Sequence, residues 1–168
     1  LANALSARGQ QSRLINAGEH SSDFASLFNQ QRYQGVVYLW ALNNILAEDI
    51  TVADLQEAQR VSTGSALSLA QAMIKSDQSN LWLITRAAQS VDGYSFPVAA
   101  GQSALLGLAR TLANEYPELH CKRIDLDPRV RPEEIDELVN EILNVDTRED
   151  EIALRDARRV RRLARAEH

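Results

Sequence analysis

Three short runs set the terms on which this chain can fold: GVVYLWAL (35–42), LWLITR (81–86) and CKRIDL (121–126). The first two are apolar or β-branched on successive residues rather than on alternate ones. A strand apolar on both faces needs cover on both faces, which is the condition of a strand inside a parallel sheet layered by helices. CKRIDL reads as a third internal strand. All three are expected among the central strands.

The segments between these runs carry the other period. Thr51 and Asp54 form a variant capping box that opens a helical stretch to about Lys75. Ala66, Leu69, Ala70 and Met73 recur along it at helical spacing, and Ser62, Thr63 and Gly64 are a candidate break. Over 98–115, VAAGQSALLGLARTLANE, the residues Leu105, Leu108, Ala109 and Leu112 share one face, and the helix stops before Pro117. Pro132 marks the start of another amphipathic helix, with Ile135, Leu138, Val139, Ile142 and Leu143. Alternating strand and helix predicts an α/β domain of the doubly wound class, helices on both faces of a parallel sheet.

At the ends the signals are of a different kind. LANALSARG (1–9) is helical and closes at Gly9, where a glycine C-cap belongs. It has no start signal, so a strand upstream of it is expected. QSRLINAG (11–18) reads as a short strand, and Ser22 and Asp23 can cap a helix bearing Phe24, Leu27 and Phe28. The tail DEIALRDARRVRRLAR (150–165) reads as a strand pair.

Composition narrows the partners. The 168 residues suffice for one domain, and a net charge of −5 makes the chain no electrostatic match for nucleic acid or an anionic membrane. No apolar run approaches the roughly 20 residues of a membrane span, and no signal peptide opens the sequence. The single cysteine, Cys121, fits a reducing compartment and reads as a small core residue. His20, His120 and His168 show no metal-ligand spacing, so no metal site is expected. Trp40 and Trp82 fall inside the apolar runs and read as core. Arg86, at the end of a strand, is better explained by a structural ion pair than by a ligand. Arg155, Arg158, Arg159, Arg161, Arg162 and Arg165 in the tail have acidic neighbours over 133–151, and a charged strand pair explains them better than a nucleic-acid patch.

In its order of segments the chain resembles a short-chain dehydrogenase/reductase. LANALSARGQQSRLI is similar to the first helix and second strand of that fold, GVVYLWALNN to the strand entering its Asn-Asn motif, and LWLIT to the strand ending on its catalytic serine. In such a reductase a tyrosine stands four residues before a lysine, ahead of an ALLGLAR-like run. Aligned on ALLGLAR (104–110), those positions hold Val98 and Gln102, and the serine position falls on or near Thr85. Valine transfers no proton, and glutamine carries no charge to lower a neighbouring pKa. No tyrosine of the chain has a lysine four residues on. The alignment therefore implies no catalytic residue and no cofactor-binding residue here.

More specifically, five stretches in sequence resemble the structural subdomain of a modular polyketide synthase ketoreductase. They are GVVYLWAL, STGSALSLAQAM, LWLITRAAQSV, the run from VAAGQSALLGLAR to CKRIDLD, and DEIALRDARRVRRL. The resemblance implies two Rossmann-like halves in one polypeptide, this chain being the non-catalytic one over 1–168. The other half would follow, bind NADPH, and reduce a β-ketoacyl group on an acyl carrier protein in the cytoplasm. The family usually has glycine where this chain has Ala87 and Ala157. Alanine at 157 weakens the tail hairpin, and the same residues have good helix propensity. The alternative is a free-standing reductase-like nucleotide binder whose glycine loop lies upstream.

Overall fold

The computed structural model describes residues 1–17, 23–29, 31–43, 51–91, 96–144, 149–156 and 158–161. Its centre is a sheet of strands β1 (Val36–Tyr38), β2 (Leu81–Arg86), β3 (Lys122–Leu126), β4 (Glu151–Arg155) and β5 (Arg158–Arg161), in spatial order β1-β2-β3-β4-β5. The first four are parallel and β5 returns antiparallel to β4. The helices are α1 (Ala2–Ala7), α2 (Ala25–Phe28), α3 (Val52–Gln59), α4 (Ser65–Lys75), α5 (Ala100–Glu115) and α6 (Glu134–Leu143).

Two cores lie on opposite faces of this sheet, as the double-sided strands require. On one, Leu81 and Leu83 of β2 meet Leu69 and Met73 of α4 and Leu105, Ala109 and Leu112 of α5. On the other, Ile84, Ile124, Ile152 and Leu154 meet Leu138 and Ile142 of α6, with Leu5 of α1 and the preceding Leu1 alongside. Odd and even residues of β2 thus serve different helices, the period-2 rule of a strand. The strand order steps in a single direction, yet α4 and α5 cross over one face and α6 over the other. The crossover through α6 therefore has the opposite hand to the two before it, against the strong right-handed preference.

Several expectations are corrected. Residues 11–16 join no strand ladder, and only three residues of GVVYLWAL do. That strand, β1, lies at the edge of the described sheet rather than in its centre, because no described strand pairs with its outer side. Gly35 precedes it in close contact with β2: a Cβ there would lie 2.1 Å from the Trp82 ring. Trp40 belongs to the 3₁₀ turn Trp40–Asn43, half-buried, with its indole N–H donating to the Ile15 carbonyl at 3.3 Å. LWLITR and CKRIDL are central as expected, and every residue of β3 is buried.

The stretch 51–75 is not broken at Ser62–Gly64. It passes through a wider π-type turn, Arg60–Gly64, between α3 and α4. Such a turn frees carbonyls, and the buried Tyr38 hydroxyl donates to two of them, Ser62 at 2.6 Å and Val61 at 3.1 Å. The capping box forms as read: the Asp54 amide donates to Thr51 Oγ1, and the Thr51 amide to Asp54 Oδ2. Asp23 caps the short α2 by accepting from the Ser26 amide at 3.2 Å, while Ser22 lies outside the described residues. In α6, Leu138, Val139 and Ile142 are buried, whereas Ile135 stays exposed. The tail folds as a hairpin, with Asp156 at φ +47° supplying its left-handed turn residue. Ala157 lies outside the described residues.

Candidate functional site

In open α/β sheets ligands bind outside the carboxyl ends of the strands. Here those ends are Arg86 of β2, Leu126 of β3 and Arg155 of β4. Side chains of this chain fill the space between them.

Asp125 stands at the centre, wholly buried. Its Oδ1 accepts from the Thr85 hydroxyl at 2.6 Å and from the Ala88 amide at 2.9 Å. Its Oδ2 accepts from the Gln89 amide at 3.3 Å and from Arg155 Nη2 at 2.5 Å. Pairing of Thr85 with Asp125 across β2 and β3, and of Asp125 with Ala153 across β3 and β4, sets this geometry. Arg155 is also fully buried. Its Nη1 donates to the carbonyls of Asp125, Leu126 and Leu154, each at 2.9 Å, and its guanidinium lies 5.1 Å from the Phe96 ring centroid. A buried charge must be paired and hydrogen-bonded, and here both members are.

A second cluster lies on the α6 side. Arg86 makes a two-pronged contact with Glu134, at 2.7 and 2.5 Å, and also donates to the Asp127 carbonyl. Asp127 in turn accepts from the Arg129 amide at 2.9 Å and the Asp156 amide at 2.8 Å, which anchors the hairpin turn to the end of β3. Burial favours the neutral form of Asp127. Those two amides and the Arg131 and Arg155 guanidiniums outweigh it, and the carboxyl sits below the usual aspartate range. The structural ion pair read for Arg86 is thus present.

The three positions aligned with reductase chemistry are all visible. The Thr85 hydroxyl is committed to Asp125. Gln102, buried in α5, accepts at Oε1 from the Arg86 amide at 2.9 Å, so it caps the end of β2. Val98 is not on the helix as the alignment placed it; α5 begins at Ala100, and Val98 lies in the approach, 43% exposed. The structure ties Thr85 and Gln102 into the strand ends and leaves Val98 at the surface. Ala87 follows β2 at φ +53°, a left-handed conformation that favours glycine.

Other candidates resolve simply. Cys121 is buried, and burial pushes its thiol up to about 12, with Asp150 adding to this and Arg123 opposing it. Such a thiol is a poor nucleophile at neutral pH. Among the described residues no three His, Cys, Asp or Glu side chains converge as a metal cluster. His120 is exposed in a left-handed turn; His20 and His168 lie outside the described residues. Among the described residues no helix is long and apolar enough to cross a membrane.

Among the described residues, the acidic stretch before the tail holds basic residues on β2, α5 and β3. Glu134 holds Arg86, Glu141 holds Lys122, Asp150 and Glu151 hold Arg123, and Glu151 also holds Arg110. Arg155, read as part of a charged strand pair, lies on β4 of that pair and is fully buried. Asp125, Asp127 and Glu134 were not singled out by the sequence reading. A carboxylate inside an internal strand was nevertheless a signal, because it demands a buried partner.

A four-strand parallel ladder with helices on both faces and charged groups closing its carboxyl ends defines a Rossmann-like α/β domain. The family model for the Rossmann fold domain of polyketide synthase extender module SpnB matches residues 3–163, and the chain belongs to that family. Polyketide synthase GfsA of Streptomyces halstedii is 32% identical over 150 residues, covering 86% of this chain and 2% of the relative. Among solved structures, A-type ketoreductases from a modular polyketide synthase superpose with a TM-score of 0.73 at 23% identity, over 95% of this chain and 34% of theirs. A C2-type ketoreductase from a modular polyketide synthase gives 0.70 at 25% identity, over 96% and 37%. This chain therefore spans about a third of each of those solved chains and is a ketoreductase-like Rossmann domain.

Proposed function

We propose that the chain is a structural, non-catalytic subdomain that supports the NADPH-binding half of a polyketide synthase ketoreductase. The observation that carries this reading is the Asp125–Arg155 pair, which occupies the strand ends where a doubly wound domain would receive a ligand. No proton donor of the reductase kind stands at Val98, and the polar groups of Thr85 and Gln102 are committed to internal bonds. In this reading the partner half of the same polypeptide supplies serine, tyrosine, lysine and the nicotinamide, and reduces a β-ketoacyl group carried on an acyl carrier protein in the cytoplasm. This half contributes a rigid flank, its stability shared with the partner by mass action.

The test is reduction of a β-ketoacyl thioester with NADPH. This chain alone should give no turnover above buffer, the parent two-half polypeptide should turn over, and Val98→Ala in that polypeptide should leave kcat unchanged. Turnover by this chain alone, or loss of kcat at Val98→Ala, would overturn the reading.

A further inference from the structure

Residues 51–75 turn inward a face that no straight α-helix would keep. Ala58, Ser62, Ala66 and Ala70 are all buried, each four residues after the last. At 3.6 residues per turn, each such step drifts about 40° round the helix. Ala58 would then stand about 80° away from Ala66, turned off the core that Ala66, Leu69 and Met73 share. The π-type turn Arg60–Gly64 removes that drift. It closes on the fifth residue rather than the fourth and so takes up one residue more. Ala58 and Ala66 thereby stay in line.

The seat of α3 depends on this alignment. Of the described residues of α3, Ala58 alone is buried, whereas α4 buries Ala66, Leu69, Ala70, Ala72 and Met73. Both α3 and the π-type turn pack against α5. Such turns are rare, so something must hold this one. Alternation along β1 puts Val36 and Tyr38 on the face of α4 and α5, and Val37 on the other. From there the buried Tyr38 hydroxyl reaches the Val61 and Ser62 carbonyls inside the turn. Ser62 Oγ in turn donates to the Ala58 carbonyl at 2.7 Å, which ties the turn to the buried residue of α3. Thr63 marks the surplus position: its hydroxyl is buried without a hydrogen-bond partner among the described residues.

We infer that Tyr38 is a clasp: its hydroxyl holds residues 51–75 one residue out of α-helical register, so that α3 lies on α5 as a strap that releases separately from α4. When the Tyr38 bonds break, the turn relaxes and α3 leaves α5, while α4 stays seated by its own buried side chains. The strap is a local device of the fold, and it stands whether or not the domain is catalytically silent.

Hydrogen–deuterium exchange and urea unfolding test it. Tyr38→Phe removes only the hydroxyl. It should speed exchange of the amides over 55–64 at least about tenfold and leave those over 70–75 within about twofold. Deletion of Thr63 should turn 51–75 into one continuous α-helix with the same face inward. Its urea midpoint should therefore fall far less than on deletion of Ser68, which breaks the buried face of α4. In the Thr63 deletion, Tyr38→Phe should change exchange by less than about twofold, since no π-type turn is left to clasp. A Tyr38 that merely fills the core would speed α3 and α4 alike, and that result would overturn the inference. Equal losses at the two deletions would overturn it as well, and so would an undiminished effect of Tyr38→Phe in the Thr63 deletion.

Discussion

Arg155 Nη2 lies 2.5 Å from Asp125 Oδ2, both side chains wholly removed from solvent, across the carboxyl ends of β3 and β4. A pair so enclosed is costly to halve. Arg155→Met should destabilise the domain by about 3–5 kcal/mol, because it removes the buried counter-ion of Asp125 and leaves that carboxyl without its partner. Asp125→Leu combined with Arg155→Met should cost less than the two single changes summed. Urea unfolding of the three variants measures this.

Ala87 holds a φ of +53° while buried at the turn after β2, its amide donating to the Leu126 carbonyl and its carbonyl accepting from Ala99. The turn is fixed from both sides, so the residue cannot relax out of the left-handed region. Ala87→Gly should raise stability by about 1 kcal/mol, the steric strain removed exceeding the added freedom of the unfolded chain. The urea midpoint should rise with an unchanged slope.

Asp127 gives the domain an acid-sensitive joint. Its carboxyl is held below the ordinary aspartate value, about 3.9 in the unfolded chain. Its contribution is therefore fully present above that pH and is lost as pH falls through the lower folded value. Asp127→Asn should lower stability at pH 7 and flatten the loss of stability on acidification below about pH 4. Unfolding curves at pH 7 and pH 3 check both limbs.

Restoring the tyrosine and lysine, Val98→Tyr with Gln102→Lys, should not create a reductase. Lysine has no acceptor for the Arg86 amide that Gln102 now receives, and its charge would enter a buried site. Leaving that amide unsatisfied costs about 1–3 kcal/mol. The double variant should be less stable and should still give no oxidation of NADPH with a simple ketone.

LWLITR was legible because β-branched and apolar residues on successive positions fit a strand covered on both faces. α5 and α6 were legible because Leu105, Ala109 and Leu112, and Leu138 and Ile142, keep one period. β1 misled: GVVYLWAL looks buried on both faces, but a sequence run cannot say whether a neighbour strand is present on either side. Residues 11–16 misled for the same reason, since a strand exists only through its ladder. The charged core was hidden because Asp125 and Arg155 are 30 residues apart and meet only through the register of β3 and β4. Gln102 was recognised as the absence of a lysine, and its role in closing β2 needed the fold.

Thermal unfolding of this chain with and without millimolar NADPH tests the central claim most directly. A cofactor that binds the native state at a hundred times its dissociation constant stabilises it by about 2.7 kcal/mol, which moves the midpoint by several degrees. With Arg155 and Asp125 filling the strand ends, the midpoint of this chain should not move, while that of the parent two-half polypeptide should rise. A rise of several degrees for this chain alone would show that it binds the nucleotide, and would contradict the structural role proposed for it.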